Sequence, residues 1–172
     1  MADTGLARLP TDEEMAAWRA FLRAHARVTR SLEADLIAEQ RLSLAAYEVL
    51  LQLAESSDCR LRMTELADAV LLSRSGVTRL VDRLERAGLV RRSRVDTDGR
   101  GVLAVLTSHG LERLRTATET HLTGVVRYFS SQLARYQLNV LGDTCMKLAE
   151  GKIPSPAGEV DPTTITAADS GG

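Results

Sequence analysis

The stretch SGVTRLVDRLE (residues 75–85) decides the fold, because its apolar and polar residues separate cleanly at helical spacing. The apolar residues fall at positions i, i+3, i+4 and i+7, which predicts one buried side of a helix. These are Val77, Leu80, Val81 and Leu84. The other side and the residues just before it carry hydroxyls and arginines, namely Ser73, Arg74, Ser75, Thr78, Arg79 and Arg83. Short hydroxyls and arginines near a helix N-terminus suit phosphates and guanine edges in a DNA major groove.

A second short helix is predicted just before this one. Thr64 can cap a helix from Glu65 to about residue 70, and Ser73 or Ser75 can cap the helix that ends at Gly88. Two helices with a tight connection are typical of a helix-turn-helix, in which the first helix crosses the DNA backbone.

A two-stranded hairpin is predicted after the second helix. One arm begins at Leu89, the polar turn of residues 96–99 reverses the chain, and residues 102–106 return. The candidate DNA contacts here are Arg91, Arg92, Asp98 and Arg100. Arg100 would enter the narrow minor groove, with Asp98 orienting its guanidinium. For Arg86 and Arg94 a solvated surface charge is the favoured interpretation.

Long helices flank this DNA-binding segment of residues 43–107. Thr11 and Glu14 have capping-box spacing for a helix over about residues 11–39, and Ser43 caps the next one. Thr107 or Ser108 caps a long helix, and a last helix completes residues 108–150. Residues 1–10 are predicted to be flexible, residues 11–150 to form a single domain, and residues 151–172 to be a disordered tail. The terminal helices carry more apolar surface than one small lobe can cover, which predicts a homodimer.

The composition is that of an ordinary globular domain. The 172 residues are 44% hydrophobic and 26% charged, with a net charge of −1, and the longest apolar runs are far too short to span a membrane. Without a secretory signal, a cytoplasmic location is expected. Between Arg60 and Arg100, however, ten arginines stand against six acids. The basic charge is therefore concentrated in the predicted DNA-binding segment.

Enzyme and cofactor signatures are missing from the sequence. It contains no phosphate loop, nucleophile elbow or metal-ligand spacing, so we expect no enzyme activity, no cofactor and no metal site. The two cysteines, Cys59 and Cys145, are far apart and are expected to be reduced thiols.

Beyond these patterns, several motifs resemble the MarR family of multiple antibiotic resistance regulators. They are Leu66-Ala67, residues 75–85, Ala87-Gly88-Leu89-Val90, Asp98-Gly99-Arg100 and Leu106-Thr107, in matching order and spacing. The resemblance covers roughly residues 11–150. It implies a mostly α fold with a small β-hairpin wing, in which the winged helix-turn-helix joins a helical dimerisation lobe. Ala104 departs from the family, which more often has a larger β-branched residue there.

The resemblance also implies a function and its regulation. The sequence predicts a sequence-specific DNA-binding transcriptional regulator, a ligand-responsive repressor that acts as a homodimer on an inverted-repeat operator of double-stranded DNA. Small aromatic or phenolic ligands release many members of the family, and the candidate ligand residues are Trp18, His25 and Tyr47. The simpler interpretation of these three is core and interface packing. Two alternatives stay open, a helical protein-interaction module and a redox-responsive regulator.

Overall fold

The computed structural model describes residues 8–70, 72–94 and 101–151. The chain divides into two compact units, Met1–Gln132 and Leu133–Gly172. The first unit contains α1 (Asp12–Gln40), α2 (Leu44–Glu55), α3 (Met63–Ala69), α4 (Arg74–Arg86) and α5 (Ser108–Tyr128). The second contains α6 (Arg135–Glu150). The structure is mostly helical, as the sequence predicted.

The helix starts confirm most of the predicted caps. At α1 the Glu14 amide donates to the Thr11 hydroxyl at 3.2 Å, and the Thr11 amide donates to the Glu14 carboxylate at 2.8 Å. Hydrogen bonds from Arg8 and from the Thr11 amide lower the pKa of Glu14 to about 2. Ser43, Ser73 and Thr107 cap α2, α4 and α5. The predicted cap at Thr64 is wrong, because α3 begins at Met63 and Glu65 instead accepts from the Arg62 amide.

The β-structure is larger than the predicted hairpin. The strands β2 (Val90–Arg94) and β3 (Val102–Leu106) pair antiparallel as expected, and a further strand, β1 (Arg60–Arg62), pairs with the other edge of β3. In the resulting register Ala104 lies between Leu61 and Arg92. The predicted hairpin is therefore confirmed, and β1 is an additional strand that the sequence did not predict.

The core of the first unit lies where α2, α3 and α4 meet the sheet. Its fully buried side chains include Leu50, Leu53, Leu66, Val77 and Val81. The apolar stripe of α4 is buried along its whole length, so the orientation of this helix about its axis is fixed.

A close backbone contact joins the start of α5 to the turn after α4. The Thr107 amide donates to the Leu89 carbonyl at 3.1 Å, and the Thr107 hydroxyl donates to the Gly88 carbonyl at 2.7 Å. Gly88 has a φ of +71°, a conformation that favours glycine. A Cβ on Gly110 would lie 2.0 Å from the Leu89 carbonyl oxygen. Only glycine lets α5 approach this turn, which we call the α4–α5 joint.

The helix α1 packs on α5 through its C-terminal half alone. Leu32 and Leu36 are buried. Leu32 packs directly against α5, since a Cβ added to Gly124 would lie only 2.7 Å from Leu32 Cδ2. The Tyr128 hydroxyl donates to Asp35 at 2.8 Å, which adds a polar contact between the two helices. Residues 12–27 are exposed apart from the half-buried Met15. The N-terminal half of α1 therefore lies on the surface of its unit.

The second unit offers little core of its own. No described residue of α6 is buried, and large apolar side chains such as Tyr136, Val140 and Leu148 are more than half exposed. Among the helices that the structure describes, none is both long and apolar enough to cross a membrane. The predictions of a flexible N-terminus, a single domain and a disordered tail stay predictions.

Candidate nucleic-acid interface

The start of α4 is organised by its cap. The Ser73 hydroxyl accepts from the Gly76 amide at 3.1 Å and lies 3.3 Å from the Ser75 hydroxyl. The other amides of the first turn have no partner within the helix, and the helix dipole adds partial positive charge there. This end of α4 can therefore bind an anion such as a phosphate.

The outward side of α4 carries the predicted hydroxyls and arginines. Ser73, Arg74, Ser75, Thr78, Arg79 and Arg83 are all exposed. Thr78 donates to the Arg74 carbonyl at 2.9 Å, and the Arg79 Nε donates to the Ser75 carbonyl at 3.4 Å. Within the described ranges, none of these arginines forms an ion pair. Their guanidinium groups are thus available to a partner molecule.

A groove runs along the same side of α4. Its volume is about 530 Å³, and its lining reaches from Ala45, near the start of α2, to the end of α4. The charged residues that line it are Arg79, Asp82, Arg83 and Arg86. Three guanidinium groups against one carboxylate make the groove cationic, so Arg86 belongs to the basic surface as well.

The arginines of β2 divide into two kinds. Arg91 and Arg94 are exposed and form no ion pair in the part of the chain that the structure describes. Arg92 instead turns toward α4, where its Nη1 lies 2.5 Å from Asp82 Oδ1 and 2.8 Å from Glu85 Oε2. Its amide donates to Glu85 Oε1 at 2.9 Å. The hydrogen bonds from the amide and the guanidinium of Arg92 lower the pKa of Glu85.

Two predicted DNA-binding residues, Asp98 and Arg100, lie outside the described residues. Asp82 and Glu85 as partners of Arg92 were not predicted. The signal that could have found them is the alternation of β2, which places Arg92 on the same face as the buried Val90.

The candidate ligand residues lie in different surroundings. Trp18 is 52% exposed and stacks on Phe21 with ring centroids 6.0 Å apart, and Phe21 lies 6.3 Å from His25. Tyr47 is buried and stacks on His121 at 4.5 Å. Two aromatic groups result, an exposed one on α1 and a pair between α2 and α5 in which Tyr47 is buried and His121 is half-buried.

His121 was not among the predicted ligand residues, and its imidazole is unusual. Its Nδ1 is buried and has no hydrogen-bond partner among the described residues. Burial lowers the pKa of His121, because desolvation disfavours the charged ring. The His/Cys/Asp/Glu side chains in the described ranges form no group that could hold a metal ion.

Comparison with known proteins links this geometry to one family. The model of the MarR family matches residues 42–101, which span α2 to the start of β3. AbsC, a MarR family transcriptional regulator from Streptomyces coelicolor, is 40% identical, with a TM-score of 0.76 over 84% of this chain and 97% of AbsC.

Two further proteins are similar over most of their length. Sco3205, another MarR family transcriptional regulator from Streptomyces coelicolor, was solved in complex with DNA. It is 37% identical, with a TM-score of 0.79 over 88% of this chain and 96% of Sco3205. The transcriptional repressor YetL of Bacillus subtilis is 30% identical over 115 residues, which are 65% of this chain and 69% of YetL.

Proposed function

Since this chain belongs to the MarR family of transcriptional regulators, we propose that it is a repressor that binds an inverted-repeat DNA operator as a homodimer. The observation that carries the proposal is the exposed side of α4, where arginines without ion-pair partners in the described ranges stand beside hydroxyls. The complex of Sco3205 with DNA and the repressor function of YetL support it. Acting on DNA, the protein is expected in the cytoplasm and has no catalytic role.

In the proposed complex α4 lies in the major groove. Its capped N-terminus and the hydroxyls of Ser73 and Ser75 meet phosphates, while Arg79 reaches the N7 and O6 of a guanine. The cationic groove beside Arg83 and Arg86 follows the DNA backbone. The hairpin flanks the site with Arg91, and Asp98 and Arg100 are proposed to act together in the adjacent minor groove.

Dimerisation is proposed from apolar side chains that the described units leave exposed. On α1 these are Trp18, Phe21 and Leu22, and on α5 they are Leu122 and Val126, each more than 40% exposed. On α6 the exposed apolar side chains are Tyr136, Val140, Met146 and Leu148. Exposed apolar residues in this number on single helices mark an interaction surface. A two-fold dimer would bind half-sites whose centres are about 10 bp or a multiple of it apart.

Control by a small aromatic or phenolic ligand belongs to the proposal as well. The exposed rings of Trp18 and His25 flank Phe21, and the cations Arg19 and Arg23 lie on the same helix. Aromatic rings and a cation suit an aromatic anion. The buried Tyr47 and the half-buried His121 offer a second aromatic surface nearer the core.

The decisive experiment is selection of bound duplexes from a random pool, followed by footprinting and sedimentation of the complex. We expect an inverted repeat bound by one dimer. Arg79→Ala should lose about 1 to 3 kcal/mol of binding free energy per half-site and should discriminate less among bases at one position of the half-site. Arg30→Ala, in the C-terminal half of α1, removes an exposed basic residue that is not among the side chains proposed to contact DNA or the second subunit, and is the control. Recovery of no preferred sequence, or of a single asymmetric half-site bound by a monomer, would contradict the proposal.

A further inference from the structure

We propose that Arg92 is a positioning residue, which locks the hairpin to α4 and does not itself contact DNA. The inference rests on the proposed function, since it concerns how the two DNA-contacting elements are held in register. It reassigns a residue whose type and place in the sequence predicted a direct DNA contact.

We call the contacts of Arg92 with Thr78, Asp82 and Glu85 of α4 the lock. The Arg92 Nη1 pairs with Asp82 and Glu85, its Nη2 lies 3.3 Å from the Thr78 carbonyl oxygen, and its amide donates to Glu85. Thr78, Asp82 and Glu85 follow one another at i, i+4 and i+7 along one side of α4. They span about 10 Å of helix at about 1.5 Å per residue. The guanidinium and the amide together therefore fix both the distance and the tilt of β2 relative to α4.

The charges around Arg92 argue against a phosphate contact. Two carboxylates surround its one positive charge, so the cluster is negative overall. Only 26% of the Arg92 side chain is exposed, whereas its neighbour Arg91 is exposed and has no carboxylate partner within the described ranges. A phosphate at Arg92 would have to displace two carboxylates that already occupy the guanidinium. Arg91 has no such cost to meet.

The residue opposite Arg92 leaves room for this conformation. Ala104 of β3 pairs directly with Arg92 and is fully buried. Directly opposite residues in an antiparallel sheet have Cβ atoms only about 4.5 to 5.5 Å apart and share a face. A methyl group at position 104 takes up little space on the face that it shares with the Arg92 stem.

The consequence for DNA binding is geometric. A major-groove helix and a hairpin that reaches the neighbouring groove must engage together, and an error of one ångström in their separation weakens both. Loss of the lock should therefore lower affinity without removing a phosphate contact. A direct contact and the lock differ in their salt dependence, since each lost phosphate contact reduces the magnitude of the slope of log K against log salt by about 0.9.

The test measures affinity for the selected operator against salt for Arg92→Gln, Arg92→Lys, Glu85→Gln and the double variant R92Q/E85Q. Arg91→Gln is the matched control on the same strand. We expect Arg92→Gln to bind at least tenfold more weakly with an unchanged slope, and Arg92→Lys to be weakened although it keeps the charge. Glu85→Gln removes a negative charge and should still weaken binding. The double variant should bind no more weakly than Arg92→Gln, because both changes break one interaction.

The outcomes separate this inference from the function it rests on. If Arg92→Gln lowers the slope as Arg91→Gln does, and Glu85→Gln binds as tightly as wild type, Arg92 contacts DNA and the inference is overturned. Wild-type protein without any DNA preference would refute the proposed function itself. Hydrogen exchange measured without DNA tests whether the variants are folded. Arg92→Gln and Glu85→Gln should accelerate exchange in β2 and β3 only. If both variants kept the protection of the wild-type hairpin, the lock would be excluded.

Discussion

Replacing Gly110 by alanine should destabilise the protein, although alanine is the better helix former. The added Cβ would lie 2.0 Å from the Leu89 carbonyl oxygen and 2.8 Å from Leu106 Cδ1. The backbone oxygen cannot rotate away, so the start of α5 must move off the α4–α5 joint. The hydrogen bonds from Thr107 to Leu89 and Gly88 are then lost.

The size of the effect follows from these contacts. Two hydrogen bonds at about 0.5 to 1.5 kcal/mol each contribute about 1 to 3 kcal/mol. Overpacking against the buried Leu89 and Leu106 costs about 1 to 3 kcal/mol more. The higher helix propensity of alanine offsets about 1 kcal/mol of this loss of stability. We therefore expect Gly110→Ala to lower the free energy of unfolding by about 1 to 5 kcal/mol.

Urea denaturation followed by circular dichroism, at one fixed protein concentration, measures this difference. Gly142→Ala is the matched control, because no atom lies within 4 Å of the Cβ it would add to α6. The control should change the free energy of unfolding by less than about 1 kcal/mol. If Gly110→Ala were as stable as Gly142→Ala, the joint would not be the rigid contact described.

Three further predictions concern titration, the hairpin tip and the ligand. Since burial lowers the pKa of His121, the unfolded state binds its proton first, and stability should fall as the pH drops below about 6.5. Urea unfolding at pH 7.5 and 5.5 should show a smaller loss for His121→Phe, and equal losses would exclude this role. Arg100→Ala should weaken binding to many sequences, and gel shifts at several salt concentrations should show a shallower slope of log K against log salt, by the equivalent of about one phosphate contact per subunit. An unchanged slope would count against a minor-groove contact. Aromatic carboxylates or phenols that release the operator should change Trp18 fluorescence and bind free protein more tightly than DNA-bound protein, by the same factor. Release without any change at Trp18 would remove this residue from the ligand site.

The sequence predicted the features that depend on local chemistry. The cap at Ser73 and the buried stripe of α4 follow from residues within four positions of each other, and both are confirmed. The bounds of β3 were correct for a similar reason, since the apolar run Val102–Leu106 directly follows a polar segment of the sequence. Caps and helical periodicity can be predicted because they depend on residue types at short, fixed spacings along the chain.

The features that the sequence did not predict depend on distant partners. The strand β1 has three residues and only Leu61 turns inward, so it has no alternation long enough to recognise. The pairing of Arg92 with Glu85 depends on how far β2 tilts toward α4. Tyr47 and His121 are separated by most of the first unit along the chain and meet only when α2 packs on α5. Neither β1 nor the stacking of Tyr47 on His121 leaves a periodic signal in the sequence, and the alternation of β2 indicates which face Arg92 lies on but not its partners.

The exposed N-terminal half of α1 has a consequence for how the protein behaves on dilution. A helical segment of about this length is marginal in water when nothing packs against it. In the proposed homodimer its order depends on the second subunit, and the fraction of protein that is dimeric falls on dilution by mass action. Proteases should therefore cut near Trp18 and Phe21 increasingly as the protein is diluted, while the core around Leu50 and Val77 stays protected. Saturating operator DNA, which is proposed to hold two subunits side by side, should restore the protection at the same dilution.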